Sequence, residues 1–149
     1  MRNYASEYKS ATDTYLDLVQ KLTLEDLDKR DSTGWSPRQV IHHMADSEAQ
    51  SYARLRRLIA EPGTAIQGYD EGKWAESETL AYKTAGIEGA IAVFKAVRQA
   101  SYELITRIDN AQLKNEGIHT ESGRYTVEIW LDTYINHPLD HANQIRNQI

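Results

Sequence analysis

Apolar residues recur at steps of three and four in four separate stretches of this chain, and that spacing limits its architecture more than any single motif does. A 3.6-residue period makes one apolar stripe per helix, and each stripe must be covered by another. Four such stretches in 149 residues predict an all-α fold: one antiparallel four-helix bundle with long connecting loops, a single domain over residues 1–149.

The first stripe is Tyr4, Tyr8, Ala11, Tyr15 and Leu18, running to about Leu22, and the following LTLEDLDKRDSTG reads as a connector. The second helix starts at a strong signal. Ser36 is its cap, Pro37 stands in the first turn, Gln39 completes a capping box, and Trp35 is placed to staple onto Val40. It should end near Ile59. Residues 61–86 carry Pro62, Gly63, Gly68 and Gly72 with weak periodicity, a length that marks a functional or mobile loop. The third stripe is Ile87, Ile91, Phe94, Val97, Leu104 and Ile108, ending near Asp109, with Lys95, Gln99 and Glu103 turned to water. NEGIHTESGRYT reads as an irregular crossover or small hairpin, and no real sheet is predicted. The last helix opens with Thr126 as cap and Glu128 in its first turn, with Tyr125 able to pack on Trp130.

Charge and cysteine content remove several functions. Net charge is -5 with signs mixed and no Lys or Arg cluster, so a phosphate-tracking nucleic-acid surface is excluded. No apolar run reaches bilayer length and MRNYASEYKS lacks a signal-peptide core, so the expectation is a cytoplasmic protein without a membrane partner. Cysteine is absent. Any thiol chemistry must therefore use a thiol that arrives as substrate.

Histidine carries the chemistry. His137 and His141 are four apart and project from one face of the last helix, beside its apolar stripe of Val127, Leu131, Tyr134 and Ile145. In the second helix the inward seam of Val40, Met44, Leu55 and Leu58 thins at Ser47 and Ser51, which leaves room for a cavity. At about 100° per residue His43 flanks that seam while His42 falls nearly opposite, towards water. Two histidines from one helix and one from another make a three-nitrogen site for one divalent ion, zinc or nickel, with a position left open for water or substrate. The plain alternative is a set of hydrogen-bonded core histidines, since HxxxH arises readily by chance. The remaining histidine, His119, sits in the crossover.

GWSPRQVIHHMADSE, IQGYDEGKWAE and TVEIWLDTYINHPLDHANQI together closely resemble the DinB-like superfamily, in particular its YfiT-type branch of metal-dependent hydrolases, over almost the whole chain. The resemblance implies a four-helix bundle, often dimeric, with three histidines on zinc or nickel. It also implies a ligand eight residues after a Trp, which from Trp35 selects His43, and a ligand pair four apart, which selects His137 and His141. The same resemblance implies either hydrolysis or transfer to a low-molecular-weight thiol such as bacillithiol, mycothiol or glutathione. Two positions depart from the pattern: Glu48 stands where relatives often have histidine, and Pro138 where glycine is usual. Pro138 cannot donate a backbone hydrogen bond to Tyr134 and should bend the helix beside a ligand.

Hydrolysis also needs a base. Asp46, Asp70 and Asp140 are candidates, and Glu48 is the one best aimed inward. Tyr69, Asp70 and Trp74 either contact the substrate from the long loop or anchor that loop by aromatic packing. The rival reading from another class is a non-catalytic metal-binding stress-response bundle that dimerises through the tyrosines of its first helix.

Overall fold

The computed structural model describes residues 2–30 and 34–149; Met1 and residues 31–33, the latter within the expected connector, lie outside it. Four long helices make the bundle: α1 (Tyr4–Val19), α3 (Pro37–Ala60), α5 (Glu88–Ile105) and α6 (Val127–Arg146). Short helices α2 (Leu24–Leu27) and α4 (Glu71–Glu76) and strands β1 (Ala65–Ile66), β2 (Glu116–His119) and β3 (Gly123–Thr126) lie in the connections. Among the described residues no helix is long and apolar enough to cross a membrane.

Local chemistry sets most helix ends. Ser36 Oγ accepts from the Gln39 backbone and Gln39 Oε1 from the Ser36 backbone, the reciprocal box expected before α3, and Pro37 follows at the first turn. The same device builds α2, where Thr23 and Asp26 cap each other inside the segment read as plain connector. Helix α5 stops at Ile105, short of Asp109, because the last turn tightens: Arg107 and Ile108 donate to carbonyls only three residues back, and the Thr106 hydroxyl takes the Glu103 carbonyl. β3 runs directly into α6 through Thr126, whose Oγ1 accepts from Ile129 N at 3.1 Å.

A sheet does form, against the sequence expectation. β1 pairs parallel with β2, and β2 pairs antiparallel with β3 from Glu116↔Thr126 to His119↔Gly123. Gly117 permits this: a Cβ there would sit 2.5 Å from the Thr64 carbonyl oxygen, which accepts from Ile118 N.

The helices pack in a ring, α1 against α5 and α6, and α3 against the same two. Contacts fix their directions. Tyr4 bonds Glu128 near the start of α6 while Tyr15 and Ile145 share a cluster, so α1 and α6 run alongside in one direction. Arg38 reaches Ala85 and Glu48 reaches Arg98, so α3 and α5 run together in the other. Returning from the end of α3 to the start of α5 takes the chain back along the bundle, which explains the length of the 61–87 connection. α3 has 24 residues, about 36 Å of helix.

The core divides into two apolar clusters. One gathers Tyr8, Leu55, Leu58, Ile105, Trp130 and Leu131, the other Tyr15, Val40, Met44, Phe94, Ala142 and Ile145. Between them lies a polar waist of Glu48, Ser51, Arg98 and Ser101, each 1% exposed or less. Ser51 does not leave a void, because Trp130 Nε1 donates to its carbonyl at 3.1 Å. Tyr8 and Tyr15 are buried within this core, 0% and 1% exposed, so they form no dimer face.

Candidate metal centre

Helix α3 delivers His43 and helix α6 delivers His137 and His141 to one point beside the polar waist. His137 Nε2 lies 3.3 Å from His43 Nε2 and 3.0 Å from His141 Nε2. Among the described residues these three are a group of close-set potential metal ligands. An sp² ring nitrogen presents either one N–H or one lone pair, so His137 Nε2 cannot satisfy both neighbours by hydrogen bonding. A cation between the three does satisfy them. Metal–nitrogen bonds of about 2.0–2.1 Å in tetrahedral geometry put ligand nitrogens ~3.3 Å apart, close to the spacing found. The residues present therefore fit a divalent ion, with three protein ligands and one position to spare.

The surroundings keep the rings neutral and aimed. Burial lowers the His43 pKa from 6.5 to about 3 and that of His137 to about 2, and burial also lowers His141. The lone pairs are thus available at neutral pH. His141 Nδ1 lies 2.7 Å from Gln144 Oε1; with the proton placed on Nδ1, that bond leaves Nε2 free to ligate. Trp35 packs on the His43 ring with centroids 5.0 Å apart, which limits how the ring can turn.

A cavity of about 180 Å³ adjoins His137. Its walls include Ser47, Arg54, Tyr69, Glu71, His119 and Glu121. Arg54 is fixed by donating to the Tyr134 hydroxyl at 3.1 Å and the Gln67 carbonyl at 2.6 Å, while its Nε is buried without a partner. The Glu71 carboxyl has its pKa raised, first by desolvation and then by Glu121. A larger cleft of about 570 Å³ lies at the far end of the bundle between Tyr4, Ile105 and Glu128, remote from the histidines.

The expected site residues fall in different places. Tyr69 lines the cavity, and Trp74 packs on it with centroids 4.6 Å apart. Asp70 instead caps α4, accepting from Lys73 N, and is exposed. Glu48 lies within the waist, 3.1 Å from Arg98 Nη1 and 2.9 Å from Ser51 Oγ, and does not line the cavity. Asp46 accepts from the Tyr82 hydroxyl, and Asp140 is exposed. His42 is only half exposed to water: the returning 61–87 chain partly covers it, Tyr82 stacking on its ring and Ala85 offering a carbonyl 3.4 Å from Nε2. His119 joins the cavity wall, its Nδ1 accepting from Glu121 N at 3.2 Å.

Sequence reading overlooked Arg54, Arg98, Glu71, Glu121 and Gln144. Only Arg98 carried a usable signal, standing four residues after Phe94 on the buried stripe, a position where a charge demands a partner.

Comparison with known proteins agrees with this fold. A "Putative metal-dependent hydrolase" of Oceanobacillus iheyensis is 32% identical over 114 residues, 76% of this chain and 64% of that protein. YfiT of Bacillus subtilis, given the same description, is 33% identical over 113 residues, 75% of this chain and 62% of its own. The chain thus spans less than two thirds of the length of these two relatives. The solved structure of YfiT, described as having an unusual four-helix bundle topology, superposes with a TM-score of 0.87 over 97% of this chain and 83% of that one, at 28% identity. The family model of the DinB superfamily matches residues 7–145, nearly the whole bundle and all three histidines, and the chain belongs to that superfamily.

Proposed function

We propose that this chain is a metal-dependent enzyme that holds one divalent ion, zinc or nickel, on His43, His137 and His141 and hydrolyses a small molecule in the adjoining cavity. The observation that carries the reading is the convergence of three Nε2 atoms at spacings of 3.0 and 3.3 Å, which hydrogen bonding cannot account for. A divalent ion on neutral imidazoles supplies a Lewis acid that lowers the pKa of a bound water or thiol.

The chain's own residues supply the rest. Glu71 takes the role of base first sought at Glu48: it lines the cavity shared with His137, and its raised pKa suits a group that accepts and returns a proton. Arg54, with an unpartnered Nε, anchors an oxygen of the substrate, and Tyr69 closes the wall against water. The Glu71 carboxyl and the names of the relatives favour hydrolysis over thiol transfer. Cytoplasmic residence and assembly as a homodimer belong to the same reading, the homodimer resting on the family resemblance.

Metal analysis of the purified protein tests the site. We expect about one ion per chain, lost in His43→Ala and kept in His42→Ala; undiminished metal in His43→Ala would sink the ligand set. A panel of esters, amides and phosphate esters, run beside thiol conjugation to a chlorinated aromatic, tests the reaction. Hydrolysis should fall about 100-fold in Glu71→Gln with metal content unchanged. Turnover only in the thiol arm overturns the hydrolytic reading, and full metal loading with no turnover in either arm supports the non-catalytic one.

A further inference from the structure

We propose that Arg98 is a positioning residue for the metal centre: its guanidinium takes the Tyr134 carbonyl that Pro138 leaves without a helical partner, and so fixes the turn that presents His137. The inference rests on the metal reading above.

In an uninterrupted helix the Tyr134 carbonyl would accept from the N–H four residues on. That residue is Pro138, which has none, and α6 nevertheless continues from Val127 to Arg146. Arg98 Nη1 lies 2.7 Å from Tyr134 O and fills the gap from a different helix. The guanidinium is itself fixed on every side. Nη2 donates to Tyr8 O at 2.9 Å, Nε to Thr12 Oγ1 at 2.7 Å, and Nη1 also to Glu48 Oε1 at 3.1 Å. Its carbon stands 3.4 Å from the centroid of the Tyr8 ring, and the residue is 1% exposed. All four long helices therefore meet at one planar fork, whose free donor is spent on the backbone of the turn that contains His137.

Arg98 suits this task because its donors are rigidly spread, so aiming two of them at Tyr8 and Thr12 aims a third at Tyr134. Glu48 balances the buried charge, which accounts for its burial away from the cavity. A group that orients a ligand from behind typically changes metal affinity about 10- to 100-fold when removed.

The experiment titrates Co²⁺ against a chromophoric chelator and records the visible d–d band of the bound ion. Wild-type protein that binds no Co²⁺ tightly fails the metal reading itself, and the inference with it. With binding established, Glu48→Gln combined with Arg98→Met, which removes both charges together, should weaken Co²⁺ about 10- to 100-fold and shift the band. Adding Pro138→Ala supplies the missing N–H to Tyr134 and should restore affinity to within about threefold of wild type, with the original band. A merely structural role would give no such rescue. The inference is overturned if the double variant binds like wild type, if the triple binds no better than the double, or if Pro138→Ala alone weakens binding as much. Should circular dichroism show the double variant unfolded, Thr12→Val loosens the fork with the ion pair kept. We then expect a few-fold loss of Co²⁺ affinity that Pro138→Ala suppresses, and unchanged affinity in Thr12→Val overturns the proposal.

Discussion

Each imidazole at the centre is held neutral by burial, and this couples the metal-free fold to pH. Unfolded histidines titrate near 6.5, whereas His43 is lowered to about 3 and His137 to about 2. Between those values the unfolded chain binds protons that the folded chain refuses. Stability is therefore complete above about pH 6.5 and is lost as pH falls through that window towards the folded values, by up to about 1.4 kcal/mol per pH unit for each group. Urea unfolding in the presence of a chelator at pH 7, 6 and 5 should show the decline, and His137→Gln should make it shallower. An equal slope in that variant would mean that His137 accepts its proton in the folded state. That His137 and His141 share one face of their helix was legible from their spacing, because four residues is close to one helical turn. His43 over His42 needed the wheel, and the wheel gave the right direction for His43 while misjudging the cover over His42. Arg54, Glu71 and Glu121 were not legible, since they come from α3, α4 and the turn between β2 and β3 and meet only through the fold.

At the scale of elements, helices were readable and strands were not, for a reason of length. α3 shows its period over 24 residues, while β1 has two residues and β2 and β3 four each, too few for a period of two to stand out. β1 also finds its partner some fifty residues later, in the pairing Ala65↔Ile118. Gly117 is the residue that this pairing cannot replace. A methyl group there would lie 2.5 Å from Thr64 O and 3.3 Å from Ile66 Cγ1, both in or beside β1, and backbone cannot yield as a flexible side chain does. Gly117→Ala should cost about 1–3 kcal/mol. The cost should appear as a lower thermal midpoint, with faster amide exchange at Ile118 and Thr120, whose N–H groups donate to Thr64 and Ile66. Because β2 ends at His119 and the chain after β1 leads to Tyr69, the cavity wall should loosen while the histidine cluster on α3 and α6 stays intact. Metal content unchanged with KM raised is the expected pattern, and loss of metal in this variant would show that the sheet supports the ligands directly.

At the scale of the whole molecule, the bundle places its polar groups where its helices are already obliged to meet. Two parallel pairs packed against each other bring the first third of α3 against the second half of α6, so His43 faces His137 and His141 across one seam while Arg98 holds the neighbouring turn. On the proposed reading a cation there would tie α3 to α6, and it would bind the folded chain far better than the unfolded one, whose three histidines are scattered over almost a hundred residues. Free metal at a hundred times its dissociation constant then adds about 2.7 kcal/mol of stability. For a domain of this size each kcal/mol moves the midpoint by about 2–4 °C, so chelation should lower Tm by roughly 5–10 °C at pH 7.5, and restoring the ion should recover it. His137→Ala should show the lower midpoint with or without metal, because it removes the nitrogen lying between the other two. His42→Ala should keep the full shift. A midpoint indifferent to chelation in the wild type, measured at fixed pH so that histidine protonation does not contribute, would mean that the three imidazoles meet without an ion to join them.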